Sequence, residues 1–461
     1  MTIPDEKELT DGIARCLAAA YGGPVSVSSL RRLSGGASRE TWSFDADGPA
    51  GSRHALVLRR DPAGSPRPEA MAMEARLLDA ARRAGVPVAA VVASGDGVDG
   101  IGTPYLVMER VDGETIPRKL LRDVRFAAAR AGLARELGRI LARIHAVPLA
   151  DLPRLPTEDP LASLERRYAD SGPALPAFEI ALRWLKENRP APVAAALVHG
   201  DFRNGNLMLN PTGVRAVLDW ELAHAGDPAE DLGWLCVRAW RFGSPAPAGG
   251  FGSREELLDG YAEVAGSRPD PERVHWWEVY GTLNWGVMCR QQAQRHLSGN
   301  ERSVELAALG SRVSEQEHDV LLALGLVDPK PRPDVLQSST VAADQTRAAV
   351  GRPDWRDLLD AVRGFLETEL FHADDARLRF HARVAANVLR IAERDLLLSA
   401  EQRAVRARSL GRLGCADETE LAEAIRRGSM DDRWGEAVAA VADTVAEKLA
   451  VANPAYAAPH V

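Results

Sequence analysis

The chain has 461 residues, of which 46% are hydrophobic and 26% charged, a composition typical of an ordinary globular protein. A net charge of −8 argues against a general nucleic-acid-binding protein. No uninterrupted apolar run approaches the ~18 residues of a membrane span, and the acidic start of the chain differs from a basic signal peptide. We therefore expect a cytoplasmic protein of two to four domains that binds neither nucleic acid nor a membrane.

Cysteine and lysine usage narrows the chemistry further. The four cysteines (Cys16, Cys236, Cys289 and Cys415) are widely spaced and form no Cys-x-x-Cys pair, which predicts buried thiols in a reducing compartment. The chain has five lysines (Lys7, Lys119, Lys186, Lys330 and Lys448), and none of them follows a glycine. A Walker A phosphate loop is therefore absent from this sequence.

The first hundred residues predict two helices and a small sheet. From apolar residues at helical and alternating spacing, we expect helices at 5–20 and 69–84 and strands at 25–33, 41–44, 54–60, 91–93 and 104–108. Residues 34–38 separate the first two strands, and a glycine pair in such a place is typical of a hairpin turn. The Gly-x-Gly-x-x-Gly pattern at 95–100 precedes a strand and not a helix, so it predicts another hairpin loop instead of a dinucleotide site.

Two charged segments come next. Residues 116–144 are predicted to be helical, and their basic residues face only Asp123 and Glu136, which is typical of a solvated helix face; a rim that attracts an anionic substrate is the alternative. Residues 150–195 predict helices around 161–167 and 177–187, with acids and bases nearly balanced. A polycationic aminoglycoside would call for a clearer acidic excess, so we do not expect it to be the natural substrate.

The stretch 197–234 holds two polar clusters, each preceded by apolar residues. This pattern predicts two short buried strands joined by a turn at 210–213. Such a hairpin would bring together three side chains that carry oxygen: Asp201, Asn206 and Asp219. Mg²⁺ prefers a few carboxylate and amide oxygens and completes its shell with water and phosphates. A neighbouring carboxylate without a metal role can orient a hydroxyl and take its proton.

The order of these residues supplies a family resemblance. His199-x-Asp201, four residues, Asn206 and a later Asp219 at a strand end resemble the catalytic loop and metal-binding aspartate of protein kinases. Gly200, Trp220 and the following 226–232 stretch make the segment similar to the aminoglycoside phosphotransferase family. The resemblance covers roughly residues 25–325. It implies an α+β, two-lobed protein-kinase-like fold, with a small antiparallel-sheet N-lobe and a mainly helical C-lobe.

The resemblance also implies roles for the residues of the catalytic loop. Asp201 matches the catalytic base, Asn206 and Asp219 match the Mg²⁺ ligands, and His199 is expected to support the loop. Arg203, in the same loop, is the remaining catalytic candidate. Two residues outside the loop are expected to be structural: Asp231, an acid that braces the loop backbone, and His145, a packed or capping histidine.

For the nucleotide, the resemblance implies a site built mainly from backbone. Gly35, Gly36, Ala37 and Ser38 would lie over the phosphates of ATP, with GTP as the alternative nucleotide, because small residues let N–H groups approach. The backbone of Glu109 and Val111 would pair with the adenine at the hinge between the lobes.

The strand at 54–60 departs from the kinase pattern, because it ends in two arginines where a kinase has its phosphate-binding lysine. Alternation places Arg59 on the face of Val57 and turns Arg60 to the outer face, so Arg59 is the predicted substitute. Glu74 is its expected helix partner, and Glu69 is the competitor. Two solvated arginines closing a strand are the alternative. A Leu-Arg-Arg tract here resembles the kinase-like domains that are fused to acyl-CoA dehydrogenases.

The domain boundaries are expected at an N-lobe with the glycine loop (1–108), a C-lobe with the catalytic and metal-binding residues (109–326), a linker (327–351) and an all-α C-terminal domain (352–461). Three prolines between 327 and 333 break helix and favour a linker. The last domain carries no catalytic motif and resembles an uncharacterised helical domain of some bacterial phosphotransferases. Internal packing, self-association and binding of a protein partner stay open.

Together, the resemblance implies a phosphotransferase that moves the γ-phosphoryl group of ATP or GTP to a hydroxyl of a small molecule. The relatives fused to acyl-CoA dehydrogenases suggest a hydroxyacyl-CoA or a related metabolite as the acceptor. Two alternatives remain: an antibiotic O-phosphotransferase for a macrolide or aminoglycoside, and a nucleotide-binding pseudokinase scaffold. The missing lysine favours the scaffold, whereas the intact Asp201, Asn206 and Asp219 oppose it.

Overall fold

The computed structural model describes residues 5–33, 39–62, 64, 66–98, 100–328, 355–397 and 399–456. The strands are β1 (Ser26–Arg32), β2 (Glu40–Asp47), β3 (Arg53–Arg60), β4 (Val91–Gly95), β5 (Tyr105–Glu109), β6 (Ala196–Val198), β7 (Leu207–Asn210), β8 (Gly213–Val217) and β9 (His224–Gly226). The α-helices between residues 6 and 323 are α1 (Glu6–Tyr21), α2 (Pro68–Arg83), α3 (Pro117–Arg122), α4 (Ala127–Arg130), α5 (Leu133–His145), α6 (Pro160–Asp170), α7 (Pro176–Glu187), α8 (Ala229–Cys236), α9 (Arg254–Ala265), α10 (Pro271–Leu297), α11 (Val304–Ser311) and α12 (Val313–Ala323). The C-terminal helices are α13 (Trp355–Thr368), α14 (Ala376–Leu397), α15 (Ser399–Arg412), α16 (Glu418–Arg426) and α17 (Trp434–Ala452).

The chain divides into two compact units. The first contains residues 1–157 and 191–274, and the second contains residues 158–190 and 275–461. The first unit therefore holds the five-stranded sheet and the catalytic loop. The second holds α6 and α7 together with most of α10 and all later helices. Among the described helices, none has the length and apolar character that a bilayer crossing requires. The four cysteines are buried and free, as their spacing predicts.

The sheet of the first unit is antiparallel throughout, with the strand order β1-β2-β3-β5-β4. Helix α1 covers one face, where Leu9, Ile13 and Leu17 pack with Phe44 and Leu56 in one core cluster. The predicted α+β fold with a small antiparallel sheet is confirmed. The pattern at 95–100 lies in the β4–β5 hairpin, as expected, with residue 99 outside the described residues.

Helix α2 lies against strands of the same sheet through a stripe of buried residues that includes Met71, Glu74, Leu77 and Leu78. Pro68 occupies the first turn, where its missing N–H costs no hydrogen bond. A glutamate within an otherwise apolar stripe is unusual, because a buried carboxylate requires partners. This glutamate marks the face of α2 that belongs to the candidate site.

Short strands and helices form the rest of the first unit. Strands β7 and β8 pair in the predicted hairpin, and the Asn210 side chain accepts a hydrogen bond from the Thr212 N–H in its turn (2.9 Å). Helices α5 and α9 pack closely through Gly138 and Gly260. A Cβ atom on Gly138 would lie 2.0 Å from the Leu257 carbonyl oxygen, so this contact requires glycine.

The basic segment at 116–144 differs from its prediction in two ways. It is not one helix, because Asp123 ends α3 and caps a short 3-10 turn by accepting from the Arg125 N–H (2.9 Å). Its arginines also have acidic partners that are distant in sequence, since Arg135 and Arg139 both pair with Glu263 of α9. A solvated, ion-paired helix face therefore describes this part of α5 better than an anion-attracting rim.

The second unit joins the helices of the 158–190 segment to the C-terminal helices. Glu179 of α7 is buried and accepts from the Arg426 guanidinium of α16 (Nε to Oε2, 3.0 Å). Lys448 of α17 binds Glu317 of α12 (Nζ to Oε1, 2.9 Å), and that carboxylate is also buried. The helices after 355 thus pack against α7 and α12 through specific ion pairs. The predicted linker lies outside the described residues from 329 onward.

Candidate active site

The backbone of the catalytic loop is anchored by one buried acid, Asp231 of α8. Its carboxylate accepts from the N–H groups of His199 (2.8 Å) and Gly200 (2.9 Å), and it faces His145 Nε2 (3.1 Å). Burial alone would raise the pKa of Asp231, but these hydrogen bonds and the histidine beside it hold the pKa below its usual value. Asp231 therefore braces the loop, and His145 is packed between Asp231 and the Tyr261 hydroxyl (3.0 Å).

His199 is fully buried, and two hydrogen bonds define which of its ring nitrogens carries the proton. Its Nδ1 accepts from the Asp201 N–H (3.2 Å), and its Nε2 donates to the Leu218 carbonyl (3.1 Å). Burial lowers the pKa of His199, although the carboxylates of Asp231, Asp201 and Asp219 oppose this shift. A neutral His199 with its proton on Nε2 thus ties the Asp201 backbone to the segment that precedes Asp219.

The Asp201 carboxylate accepts from three different side chains. Oδ1 accepts from Arg203 Nε (2.9 Å) and from the Trp234 indole N–H (2.9 Å), and Oδ2 accepts from Asn206 Nδ2 (2.5 Å). The side chain retains 13% exposure, so it is fixed in orientation but still reachable. Such a carboxylate can align a hydroxyl and accept its proton. The guanidinium of Arg203 also stacks over the Trp240 ring (4.6 Å to the centroid).

Asn206 and Asp219 lie next to each other across the start of the β7–β8 hairpin. The Leu218 N–H donates to the Asn206 carbonyl (2.8 Å), one position beyond the Leu207–Val217 pair. Asn206 uses its amide nitrogen on Asp201, which leaves its Oδ1 for another partner. Asp219 has a left-handed backbone (φ 66°), a conformation that a non-glycine residue adopts at a cost of roughly 1–3 kcal/mol.

This donor set fits a magnesium ion. An amide oxygen just before β7 and a carboxylate just after β8 provide the hard ligands that Mg²⁺ uses alongside water and phosphate oxygens. Among the described residues, no hydrogen bond or ion pair engages the Asp219 carboxylate, so it stays available to a ligand. Groups of three or more His, Cys, Asp or Glu suited to a metal do not occur in the described part of the chain.

On the sheet side of the site, Arg59 and Glu74 form an ion pair. Arg59 Nη1 donates to Glu74 Oε1 (2.5 Å), and Glu74 is nearly buried whereas Arg59 keeps 20% exposure. Glu69, the competing acid, lies exposed in the first turn of α2. The other oxygen of Glu74 accepts from Arg39, a residue that the sequence did not single out. Glu74 is thus shared by two arginines.

Asp61 is a second acid that the sequence did not indicate. It is buried, accepts from the Arg67 N–H at the start of α2 (2.6 Å) and lies 3.4 Å from Arg39 Nε. Thr103 donates its hydroxyl to the Asp61 carbonyl (2.8 Å). Asp61 therefore connects the end of β3, the beginning of α2 and Arg39.

Arg60 corrects one part of the prediction. It does lie on the face opposite Arg59, but this outer face is not open to solvent, and Arg60 is buried. Its guanidinium donates to Glu40 (Nε to Oε2, 2.8 Å) and to the Ile101 carbonyl (3.0 Å). The alternative of two solvated arginines is wrong, because both side chains are held by acids. The Arg60 guanidinium lies against Glu40, the Ile101 carbonyl and the Trp42 ring.

The remaining nucleotide candidates are backbone groups. The Glu109 N–H donates to the Ala90 carbonyl and the Arg110 N–H to the Ala55 carbonyl, so Glu109 has only its carbonyl to offer at the hinge. Within the described residues, no backbone bond uses the Val111 N–H. The glycine loop residues Gly35, Gly36, Ala37 and Ser38 lie outside the described residues.

Sequence alone missed three contributors to this site: Arg39, Asp61 and Trp234. Trp234 lies 33 positions after Asp201 and reaches it only because α8 packs behind the loop. Its place three residues after Asp231 was the only available signal. Arg39 follows the glycine pair by three residues, and no spacing in the sequence links it to Glu74.

The fold and the site together define a phosphotransferase. A family model described as the phosphotransferase enzyme family (APH) matches residues 29–277, more than half of the chain. The chain belongs to this family. A second model, a domain of unknown function (DUF6285), matches residues 372–456, within the C-terminal helices.

Curated relatives support the predicted branch. Acyl-CoA dehydrogenase family member 10 of Mus musculus is 33% identical over 195 residues, which is 40% of this chain and 18% of that protein. Family member 11 of Gallus gallus is 32% identical over 243 residues, which is 50% of this chain and 30% of that protein. The chain spans less than half the length of these curated relatives.

A solved structure shares the fold. A Ralstonia eutropha protein, assigned by inference as an aminoglycoside phosphotransferase, is 23% identical, with a TM-score of 0.54 over 69% of this chain and 98% of that one. The predicted kinase-like fold is confirmed, together with the family.

Proposed function

We propose that this protein transfers the γ-phosphoryl group of ATP, or of GTP, to a hydroxyl of a small molecule, with a hydroxyacyl-CoA or related metabolite as the favoured acceptor. One observation carries the proposal. The Asp201 carboxylate is fixed by Arg203, Trp234 and Asn206 in a loop that buried Asp231 braces, and Asn206 and Asp219 lie beside it. This arrangement provides a general base next to a pair of hard ligands.

In the proposed reaction, Asp201 orients the acceptor hydroxyl and takes its proton as the oxygen attacks the γ-phosphorus. The bond between that phosphorus and the bridging oxygen breaks, and the nucleoside diphosphate leaves. Arg203, held against the Trp240 ring, stabilises negative charge near the transferring group. Asn206 and Asp219 would hold Mg²⁺, which neutralises charge on the nucleotide phosphates when bound. Arg59 and the glycine loop position those phosphates, and the hinge backbone at Glu109 and Val111 receives the base. His199 keeps the loop in register.

The acceptor is proposed from the relatives and not from the site itself. The matched relatives are named as acyl-CoA dehydrogenases, and a kinase-like segment in such proteins favours an acyl-CoA substrate that carries a hydroxyl. A macrolide or aminoglycoside is the second candidate acceptor, by analogy with other family branches. We also propose that the C-terminal helices, which pack with α7 and α12 in the second unit, serve self-association or bind a protein partner, and that the protein is cytoplasmic.

The experiment is a transfer assay with the full-length protein. It combines γ-labelled ATP, Mg²⁺ and a panel of hydroxylated compounds: hydroxyacyl-CoA thioesters of different chain length and hydroxyl position, the matching free hydroxy acids, a macrolide and an aminoglycoside. Labelled thioester is the expected product. If only a free hydroxy acid or an antibiotic became labelled, that compound would replace hydroxyacyl-CoA as the proposed acceptor. Nucleotide binding with no transfer and no hydrolysis would support the pseudokinase scaffold instead.

A further inference from the structure

The carboxylate of Glu74 is divided between two arginines from different strands. Arg59 of β3 donates to Oε1 (2.5 Å), and Arg39, which directly precedes β2, donates to Oε2. A carboxylate has two oxygens, and a single arginine commonly takes both with its planar fork. Here neither arginine can take both, because each blocks the other.

The two arginines differ in burial and in their further partners. The Arg39 side chain is 2% exposed and also lies 3.4 Å from Asp61, whereas the Arg59 side chain is 20% exposed. Among the described residues, no ion pair other than the one with Glu74 engages Arg59. Arg39 is therefore enclosed between two acids, and Arg59 is the more exposed of the two arginines.

We propose that Arg39 is a positioning residue for the nucleotide site: it occupies one oxygen of Glu74 and so restricts Arg59 to a single bond, which leaves the other Arg59 nitrogens for the nucleotide phosphates. This proposal rests on the proposed function, since it assigns the nucleotide phosphates to the same site. Arg39 itself is too enclosed to contact a ligand.

The chemistry of arginine explains why a second cation is needed. A lysine at the end of β3 would bind the helix glutamate and the phosphates with one ammonium, whose three donors rotate freely. A guanidinium has a fixed fork that matches a carboxylate, so an unopposed Arg59–Glu74 pair would close into a bidentate contact. Arg39 prevents that closure. It also balances charge, because Arg39 and Arg59 face Glu74 and Asp61.

The test is a double-mutant cycle on the full-length protein, with calorimetric titration of Mg-AMP-PNP as the measurement. The variants are Arg39→Met, Arg59→Met, their combination and the conservative Arg39→Lys. Arg60→Met is the matched control, because Arg60 is another buried arginine of the same sheet that pairs with a glutamate, but on the opposite face. Thermal unfolding is recorded for every variant.

We expect Arg39→Met and Arg59→Met each to weaken Mg-AMP-PNP binding by roughly tenfold or more, and the double variant to bind no more weakly than Arg59→Met alone. Arg39→Lys should recover most of the affinity, since it keeps the charge and one bond to Glu74. Arg60→Met should lower the unfolding temperature yet leave the dissociation constant within about twofold. If Arg39→Met does not fold, Arg39→Gln takes its place in the cycle.

Other results would overturn the proposal. Effects of Arg39→Met and Arg59→Met that multiply in the double variant would mean that Arg39 does not act through Arg59. Unchanged binding in folded Arg39→Met, or a loss of binding in Arg60→Met that matches the loss in Arg39→Met, would make Arg39 a stabilising residue only. A wild-type protein that binds no nucleotide overturns the proposed function as well, so the two failures are distinguishable.

Discussion

Asp201 and Glu74 are both carboxylates that several side chains hold in place, yet they are built differently. Asp201 accepts from an arginine, an asparagine and a tryptophan, two of which lie within five residues of it. Glu74 accepts from two arginines that lie 15 and 35 residues away. One arginine and two neutral donors hold Asp201 and leave it partly exposed, whereas two arginines face the buried Glu74 within the protein. The arrangement around Asp201 suits a general base, and the arrangement around Glu74 suits a carboxylate that positions Arg59.

The largest expected effect on stability comes from Glu74. Replacing it in Glu74→Gln leaves Arg39 buried without a carboxylate on that side, so we expect the free energy of unfolding to fall by about 3–5 kcal/mol. Urea denaturation measures the change. Asp201→Asn leaves one arginine, Arg203, without its carboxylate, but Arg203 is 25% exposed to solvent, so this variant should lose much less. Equal losses in the two variants would contradict the contrast between these carboxylates.

The contrast also predicts a pH dependence on the Asp201 side. Burial lowers the pKa of His199, so below the unfolded value of 6.5 the unfolded chain binds a proton that the folded protein does not. Stability is therefore present above pH 6.5 and is lost as the pH falls through the lowered pKa, at up to about 1.4 kcal/mol per pH unit. Denaturation of the wild type and of His199→Gln between pH 7 and pH 5 should show a shallower slope in the variant. Parallel slopes would mean that His199 titrates alike in both states.

The surroundings of Asp201 and Glu74 also differ in how far the sequence predicts them. The Asp201 cluster could be predicted because its spacing within one loop is fixed by the chemistry, as His199, Asp201 and Asn206 illustrate. The Arg59–Glu74 pair needed the strand alternation and a kinase analogy. Arg39 and Asp61 could not be predicted, because their contacts depend on how β2, β3 and α2 pack, and no local spacing encodes this.

The burial of Arg60 shows a second limit. Strand alternation gave its face correctly, but alternation does not say what covers that face. Arg60 is enclosed by Glu40 and Trp42 of β2 and by the Ile101 carbonyl, and no spacing within β3 encodes these contacts. Local patterns therefore predicted most elements and the catalytic loop, and the kinase analogy added the Arg59–Glu74 pair, but neither indicated Arg39, Asp61 or the burial of Arg60.

Replacing Asp219 should change stability less than Glu74→Gln does. It should also raise stability while it lowers nucleotide affinity. Its left-handed backbone suits glycine, so Asp219→Gly should raise the free energy of unfolding by up to about 1 kcal/mol. The same change removes the carboxylate, and the Mg²⁺-dependent part of nucleotide affinity should disappear. Asp219→Asn is the control, since it tolerates this backbone but lacks the charge. Nucleotide affinity that stays Mg²⁺-dependent in both variants would exclude Asp219 as the ligand.

The smallest expected effect concerns an ion pair on the surface, away from both carboxylates. Arg139 pairs with Glu263 (Nε to Oε2, 2.5 Å), and both side chains are about 40% exposed. Solvent screens such a pair, so Arg139→Ala should change the free energy of unfolding by less than about 1 kcal/mol and leave nucleotide affinity unaltered. A larger loss in urea denaturation would show that exposed pairs matter here as much as the buried Glu74 pair does.

The most direct test of the central claim is the rate of phosphoryl transfer from saturating Mg-ATP by Asp201→Asn, with the acceptor found in the panel or with water. Removing the proton acceptor should lower this rate by roughly 10²–10⁴-fold, while the dissociation constant of Mg-AMP-PNP and the unfolding temperature stay close to those of the wild type. A folded Asp201→Asn protein that transfers phosphate as fast as the wild type would contradict the assignment of Asp201 as the catalytic base.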